Sequence, residues 1–135
     1  MPMAPSRPRL LRVLETALYH GAGQGEAVRG FYEHVLGLRP VSQWEKGAAY
    51  RVGDSLVLVF DREKTTRQQL PHGASGSGHA CFVTPPDDYE RWKEHLRLAA
   101  VEVIEEADYD GIRSLYFRDP AGNVLEIAEG DMWPP

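Results

Sequence analysis

Three residues that can bind a metal ion stand alone in apolar, strand-like segments: Glu15 in LLRVLETALYH, His79 in GHACFV and Glu126 in NVLEIAE. Burying a lone carboxylate or imidazole is unfavourable unless the group is paired or binds a metal ion. One nitrogen and two carboxylates suit Mn(II), Fe(II), Zn(II), Ni(II) or Co(II) and leave positions open for a substrate. We therefore predict a divalent metal site at these three residues. The alternative for each residue taken alone is a solvated or hydrogen-bonded position in a strand.

Further side chains could act on a substrate near such a site. Tyr116 lies in the strand before Glu126, where its phenol could donate a proton or a hydrogen bond to a bound oxyanion, so we predict both as catalytic. Arg113 follows a predicted turn and could bind an anionic substrate, and Trp44 and Tyr50 could line a binding groove. The alternatives are a solvated arginine and aromatic side chains that only pack.

The single cysteine and the other histidines carry weaker signals. Cys81 shares the predicted face of His79, but no base lies at a spacing that indicates a nucleophile, so we expect a small buried apolar residue. His20 and His72 lie in loop-like segments from which they could reach the mouth of a pocket. The remaining two, on predicted helices among charged residues, are expected at the surface: His34 and His95.

The elements that must position these residues follow from the apolar pattern of the first half. LLRVLETALYH predicts a strand, and the helical spacing of apolar residues from Glu26 to Leu36 predicts a helix that ends near Gly37. Three short extended segments follow, RPVSQW, GAAYRV and SLVLVF. The first half thus has the order βαβββ.

The same order of elements returns in the second half of the chain. GHACFV predicts a strand, Pro86 and Asp87 open a helix that continues through ERWKEHLRLAA, and VEVIEE, RSLYFRD and NVLEIAE predict three more strands. Short matches agree in order and element type, which indicates duplication of one module. We predict an α+β fold in which two βαβββ modules form an open, cupped mixed sheet with helices on the outside. The predicted ranges are a flexible arm 1–10 and one domain 11–130, with modules 11–61 and 79–130 and a linker 62–78.

Length and charge limit the function. A chain of 135 residues fits one domain. A formal net charge of −5 gives no basic surface for nucleic acid or anionic lipid, so we expect a small-molecule substrate. The start has no apolar run that is typical of a signal peptide, and no later run could span a bilayer, so we expect a cytoplasmic protein.

Three segments resemble a known family: FYEHVLGL, GHACF and LYFRDPAGNVLEI are similar to the glyoxalase, bleomycin-resistance and extradiol dioxygenase superfamily, also called the vicinal oxygen chelate superfamily. The resemblance extends from about Leu11 to Glu129. It implies metal ligands on the first and last strand of each half, which here are Glu15, Leu58, His79 and Glu126. Since leucine cannot bind a metal ion, it implies a three-ligand site, as in fosfomycin-resistance enzymes and extradiol dioxygenases, which usually have histidine in place of Glu15.

Two functions are consistent with this resemblance. The first is a metal-dependent enzyme that chelates neighbouring oxygens of its substrate and stabilises an oxyanion, with lyase, dioxygenase or thiol transferase chemistry. The second is a metal-free protein that binds a drug or metabolite, like the bleomycin-resistance members. A member that has lost both roles is a third possibility. The resemblance also implies a homodimer, in which the pocket is often completed across the interface.

Overall fold

Two four-stranded sheets form the frame of the computed structural model, which describes residues 7–135. The first sheet has the order β1-β4-β3-β2 and the second the order β5-β8-β7-β6. In each sheet the first strand of the half runs parallel to the last, and the other pairs are antiparallel. The equal topology confirms the duplicated βαβββ unit and the α+β class. The strands are β1 Glu15–His20, β2 Arg39–Trp44, β3 Gly47–Val52, β4 Ser55–Asp61, β5 His79–Val83, β6 Glu105–Tyr109, β7 Ile112–Arg118 and β8 Val124–Ala128.

Helices cover one face of each sheet. Helix α1, Gly25–Gly30, continues as one π-helical stretch, Phe31–Val35, and α3, Tyr89–Leu98, follows a 3₁₀ turn. A short helix α2, Arg62–Thr65, follows β4. The predicted helical spacing is confirmed, and Gly37 adopts φ +69°, the left-handed conformation expected where a helix ends. No helix in residues 7–135 is long and apolar enough to cross a membrane.

Both halves contribute to one apolar core between the helices and the sheets. The ring of Phe31 lies 6.2 Å from that of Phe117, and the ring of Tyr32 stacks on Tyr50 at 5.8 Å. The hydroxyl of the buried Tyr32 donates to Asp119 Oδ2 at 2.8 Å. Helix α1 of the first half thus packs against strands of the second half, so neither half has a complete core of its own.

The DPAGN turn connects the halves at the end of β7. Asp119 Oδ1 accepts the backbone N–H groups of Ala121 and Asn123 at 2.9 and 3.0 Å. The Asn123 side chain donates to the carbonyl of Tyr19 at 3.1 Å and accepts the N–H of Gly78 at 2.9 Å. One amide side chain therefore ties β1 to the start of β5, while the turn sets the start of β8.

The structure corrects three predicted boundaries. The first strand begins at Glu15 and not at Leu10, because its partner β4 begins only at Ser55. The strand predicted as VEVIEE is wrong for residues 101–104: β6 starts at Glu105 and runs to Tyr109. The segment predicted to be only a linker contains α2, whose first turn is capped by the Asp61 carboxylate. Residues 1–6 of the predicted arm lie outside the described residues.

Replacing Phe117 by alanine should lower the free energy of unfolding by about 3–5 kcal/mol, because it leaves a cavity in the shared core. Urea unfolding followed by circular dichroism and tryptophan fluorescence at fixed protein concentration measures this. Trp133→Ala is the control, since this side chain is 76% exposed. Both probes should report one transition, and separate transitions for the two halves would contradict a shared core.

Candidate functional site

His79 and Glu126 come together on the second sheet, on the face that points away from the shared core, called here the core-distal face. His79 Nε2 lies 3.3 Å from Glu126 Oε1. His79 Nδ1 lies 2.9 Å from the carbonyl of Val124, which can only accept, so Nδ1 carries a proton. In the neutral ring Nε2 then presents a lone pair to the carboxylate. Two electron-rich atoms in this arrangement are stabilised by a cation between them, either a proton or a metal ion.

Strand β7 fixes the orientation of the Glu126 carboxylate, which is only 6% exposed. Ser114 Oγ donates to Glu126 Oε2 at 2.6 Å, and Tyr116 lies directly opposite Glu126 in the register. The Tyr116 ring stacks near His79, with centroids 6.4 Å apart and planes at 21°. Its hydroxyl lies 2.5 Å from that of Tyr109 on β6. Three side chains from two strands, His79, Ser114 and Tyr116, therefore lie next to this carboxylate, and Tyr109 holds Tyr116 from a third strand.

The environment of Tyr116 keeps its hydroxyl protonated. Burial raises the pKa of this phenol most, and its hydrogen bonds to Tyr109 and Glu126 raise the pKa further. At neutral pH Tyr116 is therefore a hydrogen-bond donor. The structure thus places the predicted catalytic pair, Tyr116 and Glu126, side by side.

Glu15 lies on the other sheet. It is the exposed first residue of β1, opposite Leu56 in the register. Among residues 7–135 no group of three or more His, Cys, Asp or Glu side chains is placed to hold a metal ion. Within one chain, the structure therefore brings together His79 and Glu126 of the predicted metal site but not Glu15. Leu58 follows on the same face as Glu15, at the centre of an apolar cluster with Ala49 and Phe60.

Two of the three predicted substrate residues lie on the core side of their sheets. Arg113 is inside β7, where it bonds to Glu129 at 2.6 Å and to Glu90 at 2.9 Å. Tyr50 is fully buried and donates to Glu33 at 3.1 Å. Arg113 is adjacent to Ser114, so alternation along the strand points the two side chains to opposite faces. The structure thus does not bring Arg113 or Tyr50 to the His79–Glu126 pair. The third, Trp44, packs against Phe60 on the core-distal face of the first sheet.

Sequence reasoning missed Ser114 and Tyr109. Ser114 could have been found, because it precedes Tyr116 by two positions and so shares its face. Tyr109 could not, because its approach to Tyr116 depends on the pairing of β6 with β7.

The other histidines lie away from this pair. His20 is buried, with Nδ1 2.8 Å from the carbonyl of Gly21, whereas His72 contacts Tyr19. The two histidines expected at the surface are exposed: His34 and His95.

Cys81 is exposed, so the expectation of a buried residue is wrong. It lies opposite Glu126 in the register, and its pKa is raised to about 12, first by partial burial of the thiol and then by the charge of Glu126. At pH 8, EDTA-treated folded protein should therefore react with iodoacetamide roughly a hundredfold or more slowly than the guanidinium-unfolded protein, because only the thiolate reacts. Mass spectrometry of the single cysteine measures both rates. The folded-state rate should keep rising with pH beyond pH 9; a plateau below pH 9 would contradict the raised pKa.

Comparison with known proteins identifies the family. Residues 21–127 match the model of the Glyoxalase/Bleomycin resistance protein/Dioxygenase superfamily. The glutathione transferase FosA of Serratia marcescens is 31% identical, over 76% of this chain and 70% of that protein. The metallothiol transferase FosB of Staphylococcus haemolyticus is 25% identical, over 76% of this chain and 73% of that one. The lactoylglutathione lyase structure from Agrobacterium tumefaciens superposes with a TM-score of 0.84 at 31% identity, covering 92% of this chain and 97% of that chain. The chain therefore belongs to the glyoxalase/bleomycin resistance protein/dioxygenase superfamily.

Proposed function

We propose that this protein is a divalent-metal-dependent enzyme that binds neighbouring oxygens of a small-molecule substrate and stabilises an oxyanion. The observation that carries the proposal is the His79–Glu126 pair, in which imidazole Nε2 lies 3.3 Å from a carboxylate oxygen. Hydrogen bonds to Val124 and from Ser114 hold the two groups in this orientation. A group that forms a hydrogen bond to a metal ligand, on the side away from the metal ion, orients this ligand and can raise its basicity.

The donor set fits a borderline metal ion such as Mn(II), Fe(II), Zn(II), Ni(II) or Co(II). Two donors that each bind one ion at about 2.1 Å lie roughly 3.0–3.4 Å apart in octahedral or tetrahedral geometry. The observed separation of 3.3 Å falls in this range. His79 and Glu126 would therefore supply two ligands from one chain.

The third ligand that we propose is Glu15 of a second copy in a homodimer. The shared core covers the helix side of both sheets, so Glu15 and the His79–Glu126 pair lie on separate core-distal faces. A two-fold dimer can bring the first sheet of one copy opposite the second sheet of the other. The proposed site thus consists of His79 and Glu126 of one protomer with the partner's Glu15.

When bound, the metal ion would act as a Lewis acid that polarises substrate oxygens and stabilises developing negative charge. The protein's own groups have separate tasks. Tyr116, kept protonated by burial, would donate a hydrogen bond or proton to a substrate oxygen next to Glu126. Ser114 holds the carboxylate so that Oε1 faces His79.

Thiol transfer is the reaction class that we favour. FosA and FosB are named as thiol-using transferases, and the fourth ligand position implied by the family carries Leu58 here, which leaves a three-ligand site. The substrate would then be an electrophile with two neighbouring oxygens, attacked by a thiol. A metal-free binding protein is the second candidate, supported by the aromatic contacts of Trp44 and Phe60 on the first sheet.

Replacing Glu126 by glutamine should abolish stoichiometric metal binding, because the amide removes the charge that balances the cation. The measurement is metal content by elemental analysis after reconstitution with Mn(II), Co(II) or Zn(II), on protein without a histidine tag. Glu102→Gln is the matched control, since this glutamate is exposed on the loop after α3. No metal in the wild-type protein would exclude the enzyme and favour the metal-free binding protein.

Mixing two inactive variants tests whether the site crosses a dimer. Glu15→Ala and Glu126→Gln should each lose metal binding. A randomly reassociated equimolar mixture should recover about a quarter of the wild-type capacity, because half of the dimers then carry one intact site. If all ligands came from one chain, the mixture would stay empty. Light scattering of the wild type should show a dimer.

A further inference from the structure

A cluster of four aromatic side chains lies on the core-distal face of the first sheet, away from the His79–Glu126 pair. The Phe60 ring is the centre: His72 packs edge-on against it at 5.0 Å, Trp44 at 5.8 Å, and Tyr19 stacks on it at 5.9 Å. Trp44 is 39% exposed and His72 is exposed. Phe60 itself is buried, so the aromatic cluster, defined as Tyr19, Trp44, Phe60 and His72, presents mainly the rings of Trp44 and His72 outward.

The chain holds His72 in place from two sides. Its backbone N–H donates to the carbonyl of Thr65 at 3.1 Å, which folds the segment after α2 back over β4. Its side chain bonds to the hydroxyl of Tyr19, with 2.6 Å between Oη and Nδ1. A Cβ on the next residue, Gly73, would lie 2.7 Å from Thr66 Cγ2, so the backbone approaches α2 closely there. The imidazole is therefore positioned before any ligand arrives.

The tyrosine decides which hydrogen bond the histidine can offer. The hydroxyl of Tyr19 keeps its proton at neutral pH, since burial raises its pKa, and we assign this hydroxyl as the donor to Nδ1 of His72. The ring proton is then on Nε2, for which residues 7–135 provide no acceptor. The cluster thus offers one N–H donor beside aromatic surface and no charged group.

An apolar strip leads from the cluster toward Glu15. Ala17 lies between Glu15 and Tyr19 on the same face of β1, and Leu58 and Ala49 continue the strip across the sheet. Tyr19 follows Glu15 by four residue steps along the extended strand, so their Cα atoms lie about 13 Å apart. The side chains along the way are apolar, so they would contact a hydrocarbon part of a ligand.

We propose that the aromatic cluster binds an uncharged aromatic group that carries one acceptor oxygen, with the ring against the exposed Trp44 and the oxygen on His72 Nε2. This inference rests on the proposed function. The aromatic group is then the far end of an elongated substrate, whose neighbouring oxygens bind about 13 Å away at the metal site. The substrate class is therefore a long aryl ketone, ester or amide, not a small polar acid.

The first experiment tests the cluster without any metal. Acetophenone, an aromatic ring with one carbonyl, is titrated into the apo protein while NMR follows the ring signals of His72 and the indole N–H of Trp44. Saturable millimolar binding is expected, at least fivefold tighter than that of cyclohexyl methyl ketone, which keeps the carbonyl but lacks the aromatic ring. His72→Ala, followed on Trp44, should weaken binding at least fivefold, and the control His34→Ala should leave it unchanged.

Two outcomes of this experiment would overturn the proposal. Absence of shifts up to the solubility of acetophenone removes the site, and equal affinity in His72→Ala removes the role of the imidazole. Because the proposed dimer brings this face opposite a partner, all titrations use one fixed protein concentration, so that shifts caused by dimerisation are not read as binding.

The second experiment separates this proposal from the metal site. Hydroxamates bind metal ions through two neighbouring oxygens, so zinc-loaded protein is titrated with acetohydroxamate and with 6-phenylhexanohydroxamate. The phenyl compound should bind at least tenfold tighter, and His72→Ala should remove that gain without changing acetohydroxamate affinity. If both compounds bind equally, the cluster proposal fails and the metal site stands. If the protein takes up no zinc, the metal site fails, and the acetophenone result alone decides on the cluster.

Discussion

The shared apolar core is the constraint on which the rest of this structure depends. Each sheet has two faces, and the packing of α1 against strands of the other half uses the helix-covered face of both sheets. Groups that could act on a substrate are then favoured on the opposite faces, because a buried carboxylate or imidazole without a partner would be costly in the core. The position of Glu126, His79 and Tyr116 on one such face follows from this division.

Within that division, the two halves have diverged in chemical character. The core-distal face of the second sheet places hydrogen-bonding groups near one carboxylate: Ser114 donates to it, Tyr116 lies beside it, and Tyr109 bonds to Tyr116. The equivalent face of the first sheet is apolar and aromatic, and has Leu58 at its centre. Two copies of one architecture thus carry a polar face on one sheet and an apolar, aromatic face on the other. This separation suits a substrate with a reacting end and an inert end.

The sequence was informative where the signal was local and uninformative where it depended on pairing. The sequence predicted Glu126 in the last strand and Tyr116 in the strand before it. The structure has both residues in these strands, and the DPAGN turn sets where β8 begins. Arg113 was predicted to follow a turn and to reach a substrate, but alternation along β7 points it to the core side, where it pairs with Glu129 and Glu90. The sequence also could not show that Glu15 lies on a different sheet from His79 and Glu126. Strand alternation assigns a side chain to a face but does not say which faces of the two sheets meet. The predicted start of β6 was wrong for a related reason. Residues 101–104 have the apolar pattern of a strand, but the pairing with β7 starts only at Glu105.

The hydrogen bond between Tyr32 and Asp119 also bears on how the chain is synthesised. Its two partners are 87 residues apart in the sequence. A ribosome releases the first half well before the strands that complete its core exist, so the apolar side of α1 stays uncovered for most of translation. Contacts of such long range also slow folding once the chain is complete. The nascent first half is therefore the stage at which this protein most needs protection from aggregation.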